Sequence, residues 1–303
     1  MAGLKELRLR ISSIASTQKI TSAMKMVAAA RLRKAQDMLQ KSQVYNDDLA
    51  TIMGRLVKEM RQDEKDGKIV YLRPQIMQPR SEEKEFLLVV FSSDKGLCGN
   101  YNTNILKECV ARINELRNEG RVVKVLSLGK KAGESIRRRF SDIEVEIVDD
   151  FAAKGPDYEE TGSLVKRLTD DYGHSFDVCE IVYTHFNSAI DREIRCEKFL
   201  PLSIEVDEQD DRFDNKVSNA FYDYDGSKQG VLMDLVPLYV ANLMFQKLLN
   251  SQTSEHGARM TSMDNATRNA KDMINKLTLK YNRLRQSAIT TELIEIISGA
   301  EAL

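Results

Sequence analysis

The stretch SSDKGLCGNYN, residues 92–102, carries serine, aspartate, lysine and cysteine between a strand-like run and a helical one. A glycine-containing turn at such a junction is where a dinucleotide or a triphosphate is held, by backbone N–H groups and a helix N-terminus. The spacing here speaks against that chemistry. Gly96 and Gly99 make neither G-x-G-x-x-G nor G-x-x-x-x-G-K-[ST], and no Lys-Ser pair opens the next helix. The stretch is therefore read as a tight turn, with Asn102 or Thr103 as the helix N-cap. No nucleophile sits with a base at useful spacing, and Asp149-Asp150 and Asp170-Asp171 read as solvated ends of elements. Cys98, Cys109, Cys179 and Cys196 form no C-x-x-C pair, and His174, His185 and His256 are scattered without ligand spacing. Buried reduced thiols, no metal, no cofactor and no catalytic residue are the expectation.

The elements around that turn alternate strands with amphipathic helices. Strands are predicted at 86–93, 122–129, 144–148 and 177–186, and helices at about 103–118, 130–140 and 159–171. That order gives an open, Rossmann-like, mainly parallel sheet of the α/β class. Flanking it are two unusually long helical patterns. From Leu4 to Met53 there is neither Gly nor Pro, and Leu4, Leu7, Ile11, Ile14, Met24, Ala28, Leu32, Ala35 and Leu39 recur at helical spacing. At 1.5 Å per residue such a helix reaches about 75 Å. At the other end Met263, Ala266, Ala270, Met273, Leu277, Tyr281, Leu284 and Ala288 recur in threes and fours, with one extra four predicting a local loosening near Leu277–Tyr281. Residues 231–256 are also helical in pattern, with Pro237 placed in a first turn. The expected organisation is an N-terminal shaft helix (1–60), a connector (61–85), an α/β foot (86–204), a second connector (205–230) and a C-terminal shaft helix (231–303). The two rods form an antiparallel coiled coil, with Ala28, Ala35, Ala266 and Ala270 permitting close approach.

Charge is distributed unevenly. Residues 1–41 hold nine Lys or Arg against Glu6 and Asp37, whereas 141–225 hold 23 acidic and eight basic groups. A basic helix could meet nucleic acid, an anionic membrane or an acidic protein. Residues 1–41 contain no aromatic side chain to stack on bases, which argues against nucleic acid. Val27-Ala28-Ala29-Ala30 is too smooth for a membrane-surface helix, which leaves a protein partner. No apolar run approaches the roughly 20 residues of a membrane span, and the N-terminus has no secretory signal. Leu293, Ile294, Ile296 and Ile297 cover too wide an arc for a helix with one neighbour, so an external apolar collar is expected around that tip.

KITSAMKMVAAARLRKAQ (19–36), SSDKGLCG (92–99), SEHGARMTSMDNATRNA (254–270) and YNRLRQSAITTELIEIISGA (281–300), in that order, closely resemble the gamma subunits of F-type rotary ATP synthases. The resemblance implies a non-catalytic rotor shaft in a proton-translocating complex. Its helices would turn inside a hexamer of alpha and beta subunits, and its foot would meet the epsilon subunit and the c-ring. It further implies a peripheral place on the cytoplasmic face of a bacterial cell membrane, with no transmembrane segment of its own. By position, Met24 and Lys25 match the part facing acidic beta-subunit loops. Arg259, Arg285, Gln286 and Thr290 match polar shaft positions that engage beta, and Leu293, Ile294, Ile296 and Ile297 match the end held in an apolar bearing. Short alanines among mobile cations would let such a shaft pass its neighbours without locking at one angle. The rival reading is an α/β nucleotide-dependent enzyme with coiled-coil dimerisation arms, and a second is a nucleic-acid-binding coiled coil.

Overall fold

The computed structural model describes residues 2–151, 155–204 and 226–301, so most of the connector read over 205–230 lies outside the described residues. The elements are α1 (Ala2–Lys65), a 3-10 turn (Gln75–Met77), β1 (Glu85–Phe91), α2 (Tyr101–Asn118), β2 (Val122–Leu128) and α3 (Lys130–Arg139), followed by β3 (Glu144–Val148), α4 (Tyr158–Asp171), β4 (Val178–Phe186), β5 (Arg192–Leu200) and α5 (Lys228–Glu301).

The strands form one five-stranded sheet of order β3-β2-β1-β4-β5. Every pairing is parallel except β4 with β5, where a tight turn at Asn187–Asp191 reverses the chain. Sequence pattern missed β5. Its REIRCEKFL carries five charged side chains on an edge strand, where one face and one ladder stay in water, so no apolar run betrays it.

Each strand sends alternate side chains to opposite cores. Leu88, Val90, Val125 and Val182 bury against α2 and α3. Val89, Phe91, Leu126, Leu128 and Ile181 bury on the other face, beneath α4 and both long helices. There Met53, Leu56, Val57 and Met60 of α1 meet Leu232, Val236, Val240, Met244 and Leu248 of α5. The foot is therefore not an independent α/β body from which rods merely project: the proximal ends of both rods are a layer of its core. Among the described residues α5 is also the helix that is long and apolar enough to cross a membrane. Its first turns are apolar because they lie on the sheet.

This packing explains Pro237. The expectation put it in a first turn, but α5 begins at Lys228 and the proline lies inside the helix. Proline removes one backbone hydrogen bond there; the buried Leu232, Val236 and Val240 on either side keep the helix packed in the foot.

Beyond the foot the rods cover only each other. On α1 one row of covered or half-covered positions runs Leu4, Leu7, Ile11, Ile14, Gln18, Thr21, Lys25, Ala28, Leu32, Ala35, Leu39, in alternating threes and fours, with Ala15, Ser22, Met24, Ala29, Gln36 and Met38 half-covered beside it. On α5 the matching row runs Met263, Thr267, Ala270, Ile274, Leu277, Tyr281, with Ala288 two turns on and Ala266 half-covered beside Thr267, while Met273 is 47% exposed. Ile274 replaces Met273 in the seam, so no extra four is present and the expected stutter near Leu277–Tyr281 has no counterpart. Ala28 and Ala35 are buried in the seam. Val27 and Ala30, by contrast, face outward and Ala29 is half-buried, so the alanine waist serves the helix pair on one side and the surroundings on the other.

Candidate functional site

In an open α/β sheet a ligand settles outside the carboxyl ends of the strands, where the strand order reverses. Here that point lies between β1 and β4, directly above the turn at residues 92–99. The crevice is already filled. β1 ends at Phe91, while β4 continues to Phe186 and so exposes backbone groups to the gap. Helix α5 takes them. The Thr184 N–H donates to Ser251 Oγ (3.2 Å), Ser254 Oγ donates to the Thr184 carbonyl (3.3 Å), and the Phe186 N–H donates to Asn250 Oδ1 (3.2 Å). From the other wall the Tyr101 hydroxyl donates to the Ser251 carbonyl (3.1 Å), and burial raises its pKa. Ser251, Thr253 and Ser254 are buried, which is a costly choice for a helix unless each polar group finds such a partner.

The turn itself is self-contained. Asn102 is not the N-cap: α2 starts at Tyr101, and Asn102 instead accepts from the Ser93 N–H (3.1 Å) and donates to Ser93 Oγ (2.7 Å) and Cys98 Sγ (3.2 Å). Thr103 lies within the helix as well. The carbonyls of Lys95 and Gly96 accept from Arg259 Nη2 at 3.1 and 3.3 Å. Within the crevice these contacts occupy the positions a nucleotide phosphate would take. Titration of ATP or NAD into the isolated chain, followed by calorimetry, is expected to give no saturable heat; a one-to-one isotherm in the micromolar range would overturn this account of the crevice.

The residues matched to partner contacts fall into two groups. Arg259 and Lys25 are engaged within the chain. Arg259 Nη1 pairs with Glu255 Oε1 at 2.5 Å, both side chains being less than one-fifth exposed. Lys25 Nζ meets Asp264 Oδ1 at 2.5 Å, Arg268 holds the other oxygen at 2.6 Å, and Thr267 donates to Thr21 beside them (2.8 Å). Lys25 thereby holds the Asp264 carboxyl below the usual range. Met24 is half-buried next to this bridge. Glu255 and Asp264 were not singled out from sequence; the available signal was an acid on each side of Arg259, one of them four residues before it, which is ion-pair spacing on a helix.

The second group is free of the chain. Arg285, Gln286 and Thr290 are exposed, and Thr290 Oγ1 merely donates to the Gln286 carbonyl (2.9 Å). Leu293, Ile294, Ile296 and Ile297 are between 54% and 68% exposed on two successive turns. Contiguous apolar exposure on two turns is uncommon at a protein surface.

All four cysteines are free thiols. Burial pushes Cys196 up to about 12 and raises Cys109 and Cys179 as well, leaving them unreactive. His256, desolvated in α5 beside Arg259, is pushed down to about 4 and stays neutral. Among the described residues no group of His, Cys, Asp and Glu could hold a metal ion.

The ATP synthase family profile matches residues 3–303. The ATP synthase gamma chain of Paramagnetospirillum magneticum is 40% identical over 304 residues, covering all of both chains. The gamma chain of Paracoccus denitrificans matches equally, at 40% over 304 residues with full coverage of each. Among solved structures, the central stalk and c-ring structure of the Tetrahymena thermophila mitochondrial ATP synthase contains a chain with the same fold. It aligns with TM-score 0.59 at 24% identity, over 82% of this chain and 99% of that one. A crevice plugged by its own helix and end-to-end likeness to these relatives agree: the chain belongs to the ATP synthase gamma-chain family, as a non-catalytic subunit.

Proposed function

We propose that this chain transmits rotation from a membrane c-ring, through its foot, to catalytic beta subunits arranged with alpha subunits around the paired rods. The observation that carries the proposal is the pair of successive turns, Leu293–Ile297, left apolar and uncovered at the end of a helix whose lower half buries Leu232, Val236, Val240, Met244 and Leu248 in the foot. A surrounding apolar collar would satisfy them. Torque requires a stiff shaft, and the uninterrupted seam between α1 and α5 supplies stiffness along its length. It also requires an asymmetric cross-section, so that each beta subunit meets a different face and is biased towards a different conformation. Arg285, Gln286 and Thr290, exposed just below the tip, are the polar groups placed to make those differential contacts. Met24, Lys25 and Arg259 serve them from lower on the shaft: Lys25 and Arg259 presenting the outer edges of groups already anchored to Asp264 and Glu255. The epsilon subunit meets the foot, and the assembly sits peripherally on the cytoplasmic face of a bacterial membrane.

The test exploits the tip. The double substitution Ile294→Asp, Ile297→Asp is expected to leave the melting of the isolated chain unchanged, because both side chains are already in water. Burying two isoleucines contributes about 3 kcal/mol or more, so binding of the variant to the alpha–beta hexamer is expected to weaken by roughly a hundredfold or more. Undiminished binding would remove the apolar bearing from the proposal.

A further inference from the structure

Along the seam, three polar bonds join α1 to α5 in one common register. Thr267 Oγ1 donates to Thr21 Oγ1 (2.8 Å), Lys25 Nζ to Asp264 Oδ1 (2.5 Å), and Asn242 Nδ2 to Asn46 Oδ1. Thr21 and Asn46 are as far apart along α1 as Thr267 and Asn242 are along α5, so the seam runs between them without a slip. The pairs differ in what surrounds them. The Lys25 side chain is 44% exposed, and water can take the place of its carboxylate, whereas Asn46 and Asn242 are 5% and 2% exposed. The amide pair also carries a cost: among the described residues Asn46 Nδ2 and Ser42 Oγ, one turn apart, are buried without a hydrogen-bond partner.

The apolar side chains do not by themselves choose this register. The face that α5 turns to the foot core repeats every four residues from Leu232 to Leu248. A slide of α1 by one turn would bring Tyr45, Leu49, Ile52 and Leu56 to where Leu49, Met53, Leu56 and Met60 now stand, apolar in place of apolar. The charges at the foot tolerate the slide too. Lys228 Nζ spans Glu59 (3.1 Å) and Asp63 (3.0 Å), which lie one turn apart, so it keeps one of them. Residues 66–84, between α1 and β1, supply the slack. The same slide separates the two asparagine amides by about 5.4 Å and strands them in an apolar seam.

We propose that the Asn46–Asn242 pair is the register lock of the shaft: it fixes how far α1 reaches along α5, at a cost in stability that an apolar pair would not carry. Both asparagines are positioning residues. They set the level at which Met24 and Lys25 of α1 stand against Arg259 and Arg285 of α5, and so the set of side chains that the shaft presents at each height. The lock does not depend on what surrounds the rods, and either it or the rotor reading can fail without the other.

A double-mutant cycle in the full-length chain tests the pair, and a distance measurement tests the register. Asn46→Leu and Asn242→Leu are each expected to lower the folding equilibrium constant, read by urea denaturation, about ten- to a hundredfold, because each leaves the other amide buried and unpaired. The double variant should return to within about threefold of the parent or exceed it. Nitroxide labels on Lys34→Cys and Lys280→Cys, both at exposed positions, then report the register by pulsed electron resonance. Labelling of the chain without added cysteines subtracts any signal from the native thiols. With both asparagines present a single distance is expected. In the Asn46→Leu, Asn242→Leu chain a second population should appear, displaced by about 5 Å, the rise of one helical turn. A single, unshifted distance in the folded double variant overturns the lock, as do losses from the two single substitutions that simply add.

Discussion

Gly129→Ala is expected to remove about 2–6 kcal/mol from the stability of the chain, enough to consume much of what a domain of this kind possesses. Gly129 follows β2 with φ +109°, and a Cβ there would stand 2.2 Å from the carbonyl oxygen of Ser92. Two costs combine: a conformation that L side chains avoid, and a collision with backbone rather than with a movable side chain. Relaxation is blocked on all sides. The Gly129 N–H donates to the Val148 carbonyl (2.9 Å), the Ser92 N–H donates to the Leu128 carbonyl (2.9 Å), and Ser127 Oγ donates to the Gly129 carbonyl (2.7 Å). Urea denaturation of the isolated chain checks it, with Gly162→Ala as the control. Gly162 lies in α4 with ordinary backbone and nothing near its missing Cβ, so alanine there should add about 0.5–1 kcal/mol. A Gly129→Ala chain that unfolds within about 1 kcal/mol of the parent would mean the 92–94 and 127–130 segments are looser than described.

Arg259→Ala is expected to cost about 3 kcal/mol or more, in a pH-dependent way. It strands Glu255, whose carboxylate lies between α5 and the 92–99 turn, and frees the Lys95 and Gly96 carbonyls. Burial holds the Glu255 pKa above the usual carboxylate value, against the opposing pull of Arg259. The native state therefore binds this proton more tightly than the unfolded chain, and the group's contribution to stability falls as pH rises through its folded pKa. Without Arg259 the carboxyl rises further, so the deficit of the variant should be largest above neutrality and shrink towards pH 5. Glu255→Gln in the same chain should recover most of the loss at neutral pH, since an uncharged amide leaves no buried charge behind. A deficit that does not change with pH would show that the guanidinium acts through its bonds to the turn alone.

Patterns long enough to accumulate signal were readable in the sequence. The threes and fours of α1 and α5 and the apolar runs of β1, β2 and β4 set the fold class, because the rods repeat over many turns and the parallel strands are buried on both faces. Features resting on two residues far apart were not. Nothing in REIRCEKFL announces a strand until β4 lies beside it, and nothing near Arg259 shows that its fork will cap carbonyls 163 and 164 positions away. The apolar tip was legible because excess exposure is a local property. The filling of the crevice by Ser251, Ser254 and Asn250 was not, since small polar residues in a helix look the same whether they face water or an open strand edge.

The core beneath the sheet joins Met53, Leu56 and Met60 to Leu232, Val236 and Met244. A ribosome delivers the first set long before the second. Until the last quarter of the message has been translated, that face of the nascent sheet has α1 and α4 but lacks α5, and the rest of α1 has nothing to coil around. Such distant pairing makes folding late and leaves apolar surface open to chaperones or to misassociation. Synthesis of this subunit is thus coupled to its completion: a chain arrested before α5 has no route to a finished foot.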